Sequence, residues 1–154
     1  MTKNKSARHS ARIALVQALY QHEQTKQTIA VITHEFINHH FEASDHDIAP
    51  DQDYFKKLTT SILPKIEIID GEIQKHLQDN WKMERLASVV RALLRAACYE
   101  LMFEPLVPTA VVLNEYIEVA RAFFDEREVK FVNGILDSIA KMVRLNELIA
   151  DKVV

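Results

Sequence analysis

Four cationic side chains and no acidic one occupy the first 22 residues of a 154-residue chain whose formal net charge is −3. The remaining residues hold 15 of the 19 bases and all 22 acids, so they carry −7 while the leading end carries +4. Arg8 and Arg12 are one helical turn apart with Lys5 beside them, so a helix would present one patch whose guanidinium groups suit phosphate oxygens. A basic tip on an acidic body predicts nucleic acid as the first partner to consider and an acidic protein surface as the second. A solvated chain end is the plainer alternative.

Two aromatic residues are candidates for stacking on a base. Phe131 follows Lys130 at the start of the last predicted helix, where a ring can stack while the helix N-terminus faces phosphate; core packing explains it equally well. For Trp81, the sole tryptophan, we expect packing at a junction between helices. Gly134 lies in a helical stretch at a cost of about 1 kcal/mol relative to alanine, which suggests a close approach by another group.

Histidines crowd one segment but do not have the spacing of a metal site. Two ligands on one helical face must be four residues apart, whereas His34 and His39 are five apart and diverge by about 140°. His40 and His46 complete the group, and His34-Glu35 only begins a zinc-protease pattern. We therefore predict a polar, histidine-rich segment with no metal and no cofactor.

The other reactive residues do not predict catalysis. Cys98 lies in an apolar helical run, and although Arg95 is one turn away, we expect a small buried residue and not a nucleophile. The carboxylates fall on polar helix faces, and no pair of them lies in a setting that would push its two pKa values apart. Gly71 and Gly134, the only glycines, are too far apart for a dinucleotide fingerprint, a phosphate loop or a serine-hydrolase elbow. We predict that the protein is not an enzyme.

Length and composition indicate one globular domain. We predict a single domain over residues 1–154, with flexible tails at 1–5 and 148–154. No apolar run approaches the ~20 residues that a bilayer requires, and the N-terminus lacks the apolar core of a signal peptide, so no membrane association is expected. A single cysteine excludes an intramolecular disulfide and favours the cytoplasm.

The elements that position these residues are helices, because apolar residues recur every three or four positions along nearly the whole chain. The first helix should begin near Ser6, with its first turns overhanging the core and the rest buried, including Tyr20. A second should run from about Thr28 to Phe41. Pro64 should kink or divide a long run over 55–77. Further runs cover 86–101, 112–123 and 132–143. The sequence predicts an all-α bundle of about seven helices.

Helix boundaries are also marked. Glu104-Pro105 should end one helix, and the next should start after Pro108. Asp125 and Glu128, three residues apart, resemble a capping box at the start of the last helix.

Four blocks of sequence, spread over residues 6 to 144, resemble those of the NusB family in order and spacing. Each block is moderately specific by itself, and the four together are strongly so. They are Ala11-Arg12 with Gln17-Ala18-Leu19-Tyr20, then Ala92 to Leu101, then Val107-Pro108 with Leu113 to Arg121, and finally Phe131 to Asp137.

The resemblance implies an all-helical fold and a non-enzymatic role in transcription antitermination. NusB proteins pair with NusE, a small-subunit ribosomal protein, and the pair binds the boxA element of nascent RNA, notably in ribosomal RNA operons, so that RNA polymerase passes terminators. The RNA-binding residues that it implies are Lys5, Arg8, His9, Arg12, Tyr20, Lys130 and Phe131.

Four residues depart from the family pattern. His9 and Ser10 stand where the family commonly has arginines, which lowers the expected RNA affinity. Val90 replaces an acid, so we expect apolar packing against NusE instead of a charge contact. Phe124 replaces a glycine, so the turn after that helix should lack a left-handed cap.

Two alternatives remain open. One is a helical adaptor whose acidic body recruits proteins without touching RNA. The other is an accessory domain of an RNA methyltransferase system, since some RNA cytosine methyltransferases carry a NusB-like domain.

Overall fold

The computed structural model describes residues 3–41, 49–78 and 81–145, with side chains from Ala7 onward except that of His40. These residues contain helices and loops and no strand, which confirms the all-α prediction. The chain forms two compact units, residues 1–65 and 66–154. The α-helices in the described residues are α1 (Lys3–Thr25), α2 (Ile29–Glu35), α3 (Gln52–Ile62), α4 (Ile66–Lys75), α5 (Ser88–Phe103), α6 (Thr109–Phe123) and α7 (Glu126–Val143).

In the first unit, α1 packs against α2 and α3. Three small residues of α1, Ala11, Ala14 and Ala18, are buried, and their size lets a neighbouring helix approach closely. The core includes a cluster of rings, in which Phe55 stacks on Phe36 at 5.8 Å between centroids and meets Phe41 edge-on at 4.9 Å. Helix α1 begins at Lys3, three residues before the predicted start.

Short caps define the connections of the first unit. After α1 the backbone of Lys26 is left-handed, with φ of 64°. The hydroxyl of Thr28 then accepts a hydrogen bond from the N–H of Val31 and caps α2. A π-helical turn, Phe36–His40, continues α2, so the second predicted helix is confirmed as two joined segments.

The predicted effect of Pro64 is confirmed. Helix α3 ends at Ile62, a 3-10 turn covers Leu63–Lys65, and α4 begins at Ile66. The proline therefore divides the apolar run instead of bending one continuous helix.

In the second unit, α5 packs against α4, α6 and α7 and carries the largest share of buried residues. It ends at Phe103, immediately before Glu104-Pro105, and Pro108 precedes α6. Helix α6 leaves through Phe124 in an extended conformation (φ −128°, ψ 161°), so the left-handed cap is absent as predicted. Asp125 Oδ1 accepts a hydrogen bond from the N–H of Glu128 at 3.0 Å, which confirms the predicted cap of α7.

A buried arginine closes the end of α5. The guanidinium of Arg144, which is only 6% exposed, donates to the carbonyls of Leu101 (2.7 Å), Glu100 and Glu104 (3.2 Å each) and to the hydroxyl of Thr109 (3.1 Å). The carbonyls of Glu100 and Glu104 also accept from the N–H groups of Glu104 and Val107, so Arg144 adds a second bond to each of them. The residue four positions after Leu101 is a proline without an N–H, and Arg144 supplies the donor that this buried carbonyl needs. No helix among the described residues is long and apolar enough to cross a bilayer.

Candidate nucleic-acid interface

The predicted cationic patch lies on α1, beside the start of α3. The guanidinium of Arg8 lies 4.3 Å from the centre of the Tyr54 ring, and its Nε is 3.8 Å from Oδ2 of Asp51. The side chain is still 47% exposed. Arg8 is thus held against a ring on one side while much of its surface faces solvent, an arrangement that suits a phosphate contact.

Asp51 and Tyr54 were not found from the sequence. Asp51 caps α3 by accepting from the N–H of Tyr54 at 2.9 Å, and its own N–H donates to the carbonyl of Ala7 at 3.0 Å. The backbone at the start of α3 is therefore fastened to α1 next to Arg8. The only sequence signal of their contact with Arg8 was the spacing of an acidic residue, Asp51, and an aromatic one, Tyr54, three positions later.

Arg12 does not share the exposure of Arg8. It is only 2% exposed, and its Nη2 donates to the hydroxyl of Tyr54 at 3.4 Å, with the guanidinium 5.3 Å from the centre of that ring. The prediction of one exposed line of cations is therefore wrong at Arg12, because one turn further along α1 the packing of α3 covers the side chain. Its guanidinium faces the core of the first unit, and its contact with RNA stays a prediction.

The remaining predicted residues of the first unit fall along α1. His9 is partly exposed, and Tyr20, three turns beyond Arg8, is 42% exposed. The expectation that Tyr20 lies in the buried part of the helix is therefore wrong, and its ring is available to a ligand. Lys5 belongs to α1 by its backbone, but its side chain lies outside the described residues.

The second unit presents a pair of aromatic rings. Phe131 on α7 is 38% exposed and Trp81, in the segment before α5, is 44% exposed, with ring centroids 6.1 Å apart and planes tilted by 41°. Lys130 is also exposed. Phe131 is therefore not a core residue. Trp81 is packed, as expected, over only about half of its surface.

The N-terminus of α7 is acidic. The carboxylate of Asp125 occupies one N–H of the first turn, and Glu126 and Glu128 add two acids there. Three carboxylates repel an anion from the positive end of the helix and so argue against a phosphate contact at this helix start, which stays a prediction.

Two further predictions depended on neighbouring groups. A Cβ built on Gly134 would meet nothing within 4 Å, so the suspected close approach is not made by the described part of this chain. Val90 is only 4% exposed, because it faces the core from α5. Its burial argues against direct packing on a partner, and its role at the NusE surface stays a prediction.

Cys98 is a small buried residue, as predicted. Burial, together with the negative charges of Glu72 and Asp70, raises the pKa of its thiol to about 12, so a thiolate does not form near neutral pH. Arg95 does not activate it, because its guanidinium pairs with both oxygens of Asp70 at 2.8 Å.

A chain of three polar side chains joins α4 to α7. His76 Nε2 lies 2.9 Å from Oε2 of Glu72, and His76 Nδ1 lies 2.6 Å from Oγ of Ser138. The residue types are those of a hydrolase triad. Ser138, however, lies in the middle of α7, where backbone N–H groups are used within the helix and cannot form an oxyanion hole. This arrangement ties two helices together and provides no acyl-transfer site.

The described residues contain no group of three or more His, Cys, Asp or Glu that could hold a metal ion. His34 lies within hydrogen-bonding distance of Asn38, at 2.7 Å. The side chain of His40, and His46 as a whole, lie outside the residues that the structure describes.

Comparison with known proteins gives a consistent result. The family model described as "NusB family" matches residues 9–141. A transcription antitermination protein NusB from Sphingopyxis alaskensis is 42% identical, over 94% of this chain and 99% of its own length. The protein of the same name from Caulobacter vibrioides is 41% identical, over 89% and 94%.

Solved structures agree with the sequence comparison. T. maritima NusB superposes with a TM-score of 0.73 at 35% identity, over 87% of this chain and 90% of that one. A crystal structure of antitermination factors NusB and NusE in complex with dsRNA gives a TM-score of 0.76 at 28% identity, over 89% and 98%.

Proposed function

This chain belongs to the NusB family, and we propose that it is a transcription antitermination factor that binds boxA RNA together with the ribosomal protein NusE. The observation that carries the proposal is the match to named antitermination proteins over nearly the whole length of both chains. The similar structure of NusB with NusE and dsRNA supports the choice of partners. The complex would act on RNA polymerase in the cytoplasm and promote transcription of ribosomal RNA.

The geometry of the first unit supports RNA contact through phosphate. Arg8 is exposed over about half of its side chain and is oriented by Tyr54. Lys5, His9 and Tyr20 lie on the same helix and complete the proposed surface. Such contacts supply affinity without reading sequence. We assign Arg12 a supporting role, since it holds Tyr54 from the buried side.

In the second unit, the proposed RNA contacts are Lys130 and Phe131, a cation and an exposed ring on the same helix. Val90 would act indirectly, from the inner side of α5, by shaping the surface that NusE meets. We propose a role of binding and not of catalysis, which is supported by the lack of an oxyanion hole beside Ser138 and by the burial of the Cys98 thiol.

The test is a titration of labelled boxA RNA with the chain alone and with the chain mixed with NusE, at several salt concentrations. We expect NusE to tighten binding. The logarithm of the affinity should fall linearly with the logarithm of salt concentration, with a slope of about 0.7 per phosphate contact on a single strand. An RNA of the same length with a scrambled boxA serves as the control.

Two results would contradict the proposal. Equal affinity for boxA and scrambled RNA in the presence of NusE would remove the specific role. No RNA binding in either setting, together with nuclease-resistant capture of proteins, would favour a helical adaptor.

A further inference from the structure

We propose that Trp81 and Phe131 together form a stacking site for one unpaired RNA base. This inference rests on the proposed function and adds a residue, Trp81, to the binding surface. Both rings are more than one-third exposed, and their centroids are 6.1 Å apart. Large aromatic side chains left half in water are characteristic of binding surfaces, because their burial against a ligand supplies much of the binding energy.

The segment that carries Trp81 is held before any ligand arrives. The side-chain amide of Gln74 on α4 donates to the carbonyl of Trp81 at 2.6 Å and accepts from the N–H of Met83 at 3.1 Å. The N–H of Trp81 donates to the carbonyl of Gln78 at 2.8 Å. The backbone is thus fixed on both sides of the indole, and a fixed ring loses little conformational entropy when a ligand stacks on it.

Charge favours a nucleotide over an apolar peptide as the occupant. Lys82 follows Trp81, Lys130 precedes Phe131, and both lysines are exposed. The acids at the start of α7 keep phosphate away from the helix end, so the phosphates of a bound strand would lie on the lysine side. A nucleic-acid strand presents flat, neutral bases that are flanked by phosphates. This surface presents two aromatic rings that are flanked by lysines, so the two are complementary.

The rings are expected to add affinity with little preference for sequence, because every base has a π-face. Selection of boxA would then depend on other contacts of the complex. Trp81 therefore differs from a residue that reads base edges through hydrogen bonds.

The experiment uses the fluorescence of Trp81, which is the only tryptophan of this chain. BoxA RNA is titrated into the complex of this chain with NusE, and the same titration with a Trp81→Phe variant is subtracted as the blank. Anisotropy of labelled RNA reports total binding in parallel. We expect saturable quenching of Trp81 that follows the anisotropy curve.

Variants test the energy of the contact. Trp81→Ala should weaken RNA binding about tenfold, whereas Trp81→Phe should keep most of the affinity because it keeps a ring. Met142→Ala, which removes another exposed apolar side chain from α7, should bind RNA as the wild type does. Circular dichroism checks that each variant is folded, and Trp81→Phe keeps the test valid if Trp81→Ala does not fold.

The outcomes separate this inference from the proposed function. RNA binding with unchanged Trp81 fluorescence and full affinity of Trp81→Ala would overturn the stacking site and leave the proposed function intact. A fluorescence change caused by NusE alone, with nothing added by RNA, would assign Trp81 to the protein contact and overturn the inference. Wild type that binds no RNA with or without NusE would overturn both.

Discussion

Oδ2 of Asp51 lies 3.8 Å from Nε of Arg8, so the most exposed described cation of the first helical turns shares its charge with an acid of the same unit. The two side chains are 31% and 47% exposed, which means that water and salt screen the pair and that it contributes little to folding. Its larger effect is on binding, because a phosphate that approaches Arg8 must compete with the carboxylate.

Asp51→Asn should therefore increase RNA affinity. The gain is limited to about fivefold, because an exposed ion pair is worth at most about 1 kcal/mol. Asparagine caps a helix as well as aspartate does, so the unfolding free energy should change by less than about 0.5 kcal/mol. Asp53→Asn, which removes an exposed acid from the same turn, is the matched control. Equal effects of the two changes would attribute the gain to net charge alone.

Substitution of Arg8 should affect mainly RNA binding, whereas substitution of Arg12 should affect mainly the unfolding free energy. Arg8→Ala should lower the salt slope of RNA binding by about 0.7 and leave the unfolding free energy within about 0.5 kcal/mol of wild type. Arg12→Ala should destabilise by about 2 kcal/mol, because it removes a fully buried side chain that bonds Tyr54. Arg121→Ala, an exposed arginine of α6, controls for charge. Thermal unfolding and RNA titration measure the two effects, and a slope that stays at the wild-type value in Arg8→Ala would remove Arg8 from the interface.

The two glycines offer a matched pair of substitutions. Both lie exposed on helices, and a Cβ on either would meet nothing within 4 Å, so Gly71→Ala and Gly134→Ala should each stabilise by up to about 1 kcal/mol. Gly134 is one turn from Phe131 on the same face, so only Gly134→Ala should weaken binding to RNA and NusE. Chemical denaturation and the RNA titration check both parts. Unimpaired binding by Gly134→Ala would show that no partner approaches there.

Sequence patterns predicted the helices well, because their signals are local. Apolar periodicity, the breaks at Pro64 and Glu104-Pro105, and the cap at Asp125 depend on residues within a turn or two of one another. Each of these predictions is confirmed at the boundary that it marked. The extended exit through Phe124 followed from the absence of a glycine, which is again a local property.

Predictions that depend on neighbours distant in sequence were less accurate. Arg12 is buried because α3 covers it, and its contact with Tyr54 spans 42 positions. Periodicity placed Arg12 on one line with Arg8, but it carries no information on where that line meets another helix. The backbone of Trp81 is likewise held by the side chain of Gln74 from another element, a contact that local patterns do not reveal.

Cys98 gives a prediction on pH. Its folded pKa, raised from 9.0 to about 12 mainly by burial, exceeds the unfolded value, so the folded state keeps the proton longer. The stability associated with the protonated thiol is full below pH 9 and is lost as pH rises from about 9 to 12. Wild type should therefore lose more unfolding free energy between pH 9 and 11 than Cys98→Ala, in which nothing ionises at this site. Denaturant unfolding at each pH measures the difference, and parallel curves would contradict it.

Arg144 gives a prediction on stability that sequence reasoning missed. Arg144→Ala should destabilise the second unit by about 3 kcal/mol, because it removes four largely buried hydrogen bonds and leaves the carbonyl of Leu101 without the donor that Arg144 supplies. Arg144→Lys keeps the charge but not the fork of donors, and it should recover only part of the loss. Lys141→Ala, an exposed change one turn earlier, is the control for surface effects. A loss below about 0.5 kcal/mol in Arg144→Ala would exclude the capping role.

The position of Arg144 also bears on how the chain folds during its synthesis. Helix α5 is complete at residue 103, yet the donors that close its last turn are some forty residues further along. While the chain is still emerging from the ribosome, the bonds from Arg144 are absent and the carbonyl of Leu101 is left to water, whereas the contacts described for the first unit are all available once residue 65 is out. The N-terminal half is therefore expected to gain protection from hydrogen exchange early in translation, and the C-terminal half only after its last helix has been released.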